Sequence, residues 1–160
     1  MNSKVHSLVG WLFVVLTSSS PRRELSFSLA AGLIASGSAI EYLSKLDMDA
    51  VHGHEVNLNR IMTKGINHLD GIEIIGPENP EMRGGICSIL MNKLPAHDIA
   101  ILLDDAAGVM VRSGQHCVHS WFNERGHKDG SLRASAYLYN TEEDVKLFVD
   151  TFCEAVEAFS

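Results

Sequence analysis

Cysteine, proline and positive charge are all scarce in this 160-residue chain. Its three cysteines, Cys87, Cys117 and Cys153, are too few and too odd in number for a disulfide framework. That favours a reducing, cytoplasmic setting. Lysine and arginine total 13 against 20 acids, a formal net charge of −7, and no Lys/Arg cluster offsets it. A phosphate backbone would be repelled, so nucleic acid is not an expected partner. No membrane span is expected either. The apolar run Leu8 to Leu16 (LVGWLFVVL) is too short to cross a bilayer as a helix. Preceded by Lys4 and followed by Thr17-Ser18-Ser19-Ser20, it has the outline of a signal-peptide core. Nothing downstream looks secreted. A buried strand or helix, or sequence left at a truncated start, are the other readings. Residues 1–23 are therefore set apart from residues 24–160.

The chain as a whole has the composition of a soluble globular protein, 46% hydrophobic and 21% charged, with length for one domain and a real core. Leu29, Leu33, Ile40 and Leu43 mark a helix from Leu29 to Leu46, with the small run Ala35-Ser36-Gly37-Ser38-Ala39 suited to close approach. Asp47 and Asp49 start a second helix, with Val51, Leu58, Met62 and Leu69 on one face. Asp70-Gly71 is a turn. Strands are expected at Ile72–Ile75, Gly85–Met91, Val109–Val111 and Leu132–Tyr139, and a helix at Ala96–Ala107 after Pro95. Thr141 caps a last helix with acids Glu142, Glu143 and Asp144 in its first turn. Its expected buried stripe is Val145, Phe148, Phe152, Val156 and Phe159. The order α-α-β-β-α-β-loop-β-α predicts two layers, a small sheet with helices against it.

The chemistry concentrates in Ser113 to Gly130, a long loop with room for one helical turn; loops of this length in compact domains are often functional. It opens with Val111-Arg112-Ser113-Gly114-Gln115-His116-Cys117. A strand ends, a glycine turn follows, and a cysteine is presented beside His and Arg. The thiolate is the nucleophilic form, and nearby cations favour it. A small buried residue that merely neighbours a histidine is the plainer reading of Cys117, and residue types alone leave both open.

Arg112-Ser113-Gly114-Gln115-His116-Cys117 resembles the RxGxHC motif of Suf-type cysteine desulfurases, members of the class V aminotransferases. Leu132-Arg133-Ala134-Ser135 with Tyr139-Asn140-Thr141-Glu142-Glu143 is similar to that family's R-A-S…Y-N-T-x-E segment, and the helix AAGLIASGSAIEYL to its interdomain helix. The resemblance covers Glu24 to Phe159. It implies the α/β (α+β) small domain of fold-type-I enzymes dependent on pyridoxal phosphate, with a mostly antiparallel sheet of about four strands. It implies that Cys117 takes sulfur from L-cysteine as a persulfide, releasing L-alanine, in the service of iron–sulfur cluster assembly. Arg133 would clamp the substrate carboxylate, for which a guanidinium fork is suited. Arg112 would lie near the substrate or thiolate, and His116 would orient or polarise Cys117. A sulfur-acceptor protein and a homodimer are the implied partners.

The family's cofactor lysine, with the large domain that carries it, has no counterpart in order here. His127-Lys128 lies in the wrong place, and Lys128 reads as a solvated loop charge. A truncated or half enzyme, inactive alone, is the expectation; a non-catalytic remnant or partner-binding domain, or a selenocysteine lyase or other class V aminotransferase, is the alternative. A zinc module built from His116, Cys117 and His119 with His127 or Cys87 lacks CxxC or HxxxH spacing. No metal is expected. Trp121 and Phe122 read as the loop's own small core. His52, His54, His68 and His97 have no second ligand at useful spacing, Cys87 and Cys153 are expected in the core, and Asp104-Asp105 reads as a solvated helix end.

Overall fold

Asp47 starts the larger of two units into which the chain divides, Met1–Leu46 and Asp47–Ser160. The computed structural model describes residues 22–92 and 94–159. The apolar run at Leu8–Leu16, with its signal-peptide and other readings, lies outside the described residues. The smaller unit contains helix α1 (Arg22–Leu43), which ends three residues before the expected Leu46. Ser36 Oγ donates to the Gly32 carbonyl at 2.8 Å, satisfying its hydroxyl within the helix. Among the described residues no helix is long and apolar enough to cross a membrane.

The larger unit runs α2 (Met48–Ile66), β1 (Ile72–Ile75), a 3-10 turn (Pro80–Met82), β2 (Ile86–Met91), α3 (Ala96–Ala107), β3 (Arg112–Gly114), α4 (His119–Glu124), β4 (Ser131–Ser135) and α5 (Glu142–Ala158). The four strands form one sheet in the order β1-β2-β4-β3, every neighbouring pair antiparallel. This is the small antiparallel sheet packed by helices that the periodicity and the family resemblance predict.

Strand alternation divides the sheet into two faces. Cys87, Ile89, Leu132 and Ala134 face the helices. They pack with Leu58, Met62 and Ile66 of α2, Ile99 and Leu103 of α3, and Phe148 and Phe152 of α5. Burying each large aliphatic or aromatic side chain contributes about 1.5–3 kcal/mol. Ser88, Ser131 and Arg133 point to the opposite face, on which the site is built.

Local chemistry sets the helix ends. Asp47 Oδ1 accepts from the Asp49 and Ala50 amides at the start of α2. Thr141 and Asp144 form a reciprocal capping box at the start of α5. Gly108 ends α3 in the left-handed region, its amide bonded to the Asp104 and Leu103 carbonyls. Asp104 and Asp105 are exposed there, as expected.

Three expectations are corrected. The third strand begins at Arg112 rather than Val109. Val109 and Val111 pack against the core, but the ladder to β4 starts only at Arg112, so their apolar spacing reports burial and not pairing. The fourth strand ends at Ser135, short of Tyr139, because Asn140 Oδ1 accepts from the Tyr137 amide at 3.0 Å and turns the chain. Phe159 caps α5 and is 53% exposed, past the end of its buried stripe.

Candidate active site on the outer face of the sheet

The loop carrying Cys117 is closed by β3 and β4. Arg112 pairs with Arg133, Ser113 with Leu132 and Gly114 with Ser131. Gly130, at φ +77, leads into β4 against the backbone of Gly114 and Gln115, leaving no space for a Cβ. Gln115 ties the loop to itself: its Nε2 donates to the Lys128 carbonyl at 2.7 Å and to Asn123 Oδ1 at 3.2 Å. Sequence reasoning missed both Gln115 and Gly130, although Asp129-Gly130 is a turn signal. The expected helical turn is α4. Phe122 is buried at 4% exposure, edge-on to Trp121 at 5.0 Å and to His116 at 6.4 Å. Trp121 in turn carries Arg125 over its ring at 4.3 Å. The aromatic pair is thus a small packing cluster on the outer sheet face.

His116 and Cys117 follow Gln115 at φ +50 and +64. A left-handed backbone costs a non-glycine residue on the order of 1–2 kcal/mol, and two in succession mark a segment whose surroundings hold it there. Cys117 is exposed, Cys87 is buried and Cys153 is intermediate. Burial pushes the Cys87 thiol up to about 11, against the opposing pull of Arg83. Cys153 is less enclosed than a core residue; its Sγ donates to the Gly65 carbonyl at 3.6 Å.

His116 Nε2 lies 3.2 Å from the Ser131 carbonyl oxygen and 3.1 Å from Ser131 Oγ. Its Nδ1 is buried with no partner. Burial holds the imidazole below its ordinary 6.5, the Arg133 charge and, less strongly, that of Arg112 act in the same direction, and the Ser131 carbonyl pulls the other way. Near neutral pH the ring is therefore uncharged. Its geometry fastens the cysteine loop to Ser131 of β4, two residues from Arg133 on the same strand.

Arg112 and Arg133, directly opposed, project from the same face. Like charges in that register repel. Arg133 Nε is buried and unpartnered, and the ion pairs among the described residues, Arg60–Glu81 and Lys146–Glu142, involve neither arginine. Arg133 and His116 line a groove of about 380 Å³ with Ser88, Ser131, Val118 and Trp121. The arrangement suits an anionic ligand at the arginines, and the exposed Cys117 lies in the chain between two groove-lining residues, His116 and Val118. His97 Nδ1 lies 3.3 Å from Ser113 Oγ, and His54 Nε2 lies 2.8 Å from the Asn140 carbonyl. Among the described residues no three His, Cys, Asp or Glu side chains converge as a metal site would require.

Residues 26–148 match the sequence profile of the family described as aminotransferase class-V. The chain belongs to this family. A probable cysteine desulfurase of Methanothermobacter thermautotrophicus is 34% identical over 129 residues, 78% of this chain and 31% of the relative. A probable cysteine desulfurase of Synechocystis sp. is 35% identical over 135 residues, 81% of this chain and 31% of the relative. The apo structure of a cysteine desulfurase from Thermococcus onnurineus NA1 superposes with a TM-score of 0.68 at 30% identity, covering 88% of this chain and 33% of that one. The class V chain thus spans about a third of the length of the relatives it matches.

The family depends on pyridoxal phosphate, whose aldehyde is held by a lysine. The groove does not fit that attachment. None of its lining residues is a lysine. Lys128 is exposed on a turn, and Lys146 pairs with Glu142 at 3.3 Å. What this class V segment presents instead is a pair of guanidinium groups and a thiol.

Proposed function

We propose that residues 24–160 form the C-terminal domain of a Suf-type cysteine desulfurase, which receives sulfur from L-cysteine on Cys117 as a persulfide and leaves L-alanine. The observation that carries this reading is a pair of same-face arginines, one with an unpaired buried Nε, on the two strands that close a loop bearing an exposed cysteine in left-handed backbone. The anion that the arginines call for is the substrate carboxylate, forked by Arg133. Arg112 adds positive charge beside it. Cys117 supplies the nucleophilic sulfur. His116, neutral and bonded at Ser131, positions the loop. Cleavage of the substrate carbon–sulfur bond needs the lysine-bearing large domain, so this chain alone does not turn over. The sulfur then passes to an acceptor protein for iron–sulfur cluster assembly in the cytoplasm, from a homodimer.

Alanine formation from L-cysteine tests the reading. The purified chain with pyridoxal phosphate should form none. With a lysine-bearing class V large domain added, alanine should appear, and Cys117 should gain one sulfur atom by mass spectrometry. Cys117→Ala should abolish both. Alanine from the chain alone defeats the half-enzyme reading. Complementation with no sulfur on Cys117 removes the thiol from its role, and a complete lack of complementation favours the non-catalytic remnant. Preference for selenocysteine over cysteine would reassign the substrate.

A further inference from the structure

A second pocket shares no lining residue with the groove at Arg133. It has a volume of about 480 Å³ and lies along β1, between that strand, the C-terminal turns of α2 and the chain around Gly76. Strand β1 is the edge of the sheet. Arg83 lines the pocket and is only 7% exposed. Its Nη2 donates to Thr63 Oγ1 at 2.6 Å. Thr63 Oγ1 passes its own proton to the Asn59 carbonyl at 2.7 Å, which fixes the hydroxyl as the acceptor. The other two nitrogens, Nε and Nη1, are buried and have no hydrogen-bond partner.

No carboxylate among the described residues pairs with this guanidinium. The Cys87 thiol lies within hydrogen-bonding reach of the guanidinium, but burial pushes it up to about 11, so it stays uncharged and supplies no counter-charge. A buried cation without a counter-charge is costly, and its unsatisfied donors add to that cost. Gly76, at φ +116, brings the chain over the aliphatic part of Arg83, where a Cβ would lie 3.7 Å from Cδ. Asn67 adds an amide to the lining. Glu73 and Glu78, both exposed, supply negative charge to the same pocket.

We propose that this pocket binds a small zwitterion, a molecule with a carboxylate for Arg83 and an ammonium group for Glu73 and Glu78, such as a free amino acid. The two halves of the pocket call for both charges. A simple anion would satisfy Arg83 but meet repulsion from the glutamates, and a simple cation would leave the buried guanidinium unpaired. The volume admits an amino acid, and the site needs no residue of the Cys117 loop.

The test is an NMR titration of the chain with glycine and, separately, with acetate. Glycine should give saturable shifts at the amides of Thr63, Asn67 and Gly76, and acetate should bind roughly threefold more weakly, as expected for loss of an exposed ion pair. Arg83→Met, which removes an unpaired buried charge and should therefore fold, should abolish the shifts. Glu73→Gln with Glu78→Gln, both surface changes, should keep binding but erase the preference for glycine over acetate. Shifts confined to Arg133 and Cys117, or none at millimolar glycine, overturn the proposal. So does acetate binding as tightly as glycine to the unaltered chain. Protection of the β1 amides by an extended peptide ending in a carboxylate, with glycine inert, would replace it with strand addition.

Discussion

Gly130 is the position at which one methyl group should do most harm to the site. It sits at φ +77, and an added Cβ would run into the Gly114 carbonyl and approach the Gln115 amide at 2.7 Å. Both are backbone groups, so neither can rotate away. Gly126, in the same loop at φ +79, has nothing within 4 Å of its would-be Cβ. Gly126→Ala therefore carries only the left-handed penalty, about 1 kcal/mol. Gly130→Ala carries that penalty and must also displace β3 from β4, an overpacking cost of about 1–3 kcal/mol. The expected loss is about 2–4 kcal/mol, a large share of the 5–15 kcal/mol typical of a domain. Urea denaturation of the two variants and the parent measures both quantities, provided the slope is unchanged. If the two alanine variants agree to within about 0.5 kcal/mol, the backbone contact is not the constraint inferred here.

The three thiols should alkylate in the order Cys117, Cys153, Cys87, with Cys87 reacting only on unfolding because it is buried and its thiol is pushed up to about 11; mass spectrometry of peptides after timed labelling reads the order, and early labelling of Cys87 contradicts the packing. The His116 ring should titrate below 6.5 by NMR. Because the unfolded chain binds that proton more readily, His116 contributes stability that is complete above pH 6.5 and lost as pH falls through its folded value; His116→Gln should flatten that part of the stability profile, and a folded midpoint at or above 6.5 contradicts the burial argument. Thr141→Ala removes one arm of the capping box and should cost about 1 kcal/mol in thermal or urea unfolding.

Much of this architecture is legible in the residues because local chemistry and burial agree there. Thr141 caps the helix it was expected to cap, Asp47 stands at the helix start where it was expected, and the Leu58–Met62 and Phe148–Phe152 faces enter the core. The motif residues Arg112, His116 and Arg133 do meet at β3 and β4, and Cys117 follows His116 in the loop those strands close. What was illegible depends on register. That Arg112 lies opposite Arg133 follows from the turn chemistry of Gly130 and the side-chain bonds of Gln115, not from hydrophobic spacing. Val109 and Val111 show the same limit in reverse, apolar alternation without a partner strand. Arg83 gave no signal at all, since a lone arginine before two glycines looks like any surface charge; its burial is a property of the tertiary fold.

The closure of the cysteine loop has a consequence for how Cys117 would meet another molecule. Its two ends are joined at paired strands, and its middle is tied by Gln115 to Lys128 and Asn123. The segment is therefore a ring, and its ordering entropy is lost once, during folding, rather than at every encounter. A thiol on a slack tether samples many positions and is seldom in the right one. A thiol on a closed ring reaches less space and is found more often at any one point within it, which in the proposed reaction would raise the effective concentration met by a substrate held at Arg133.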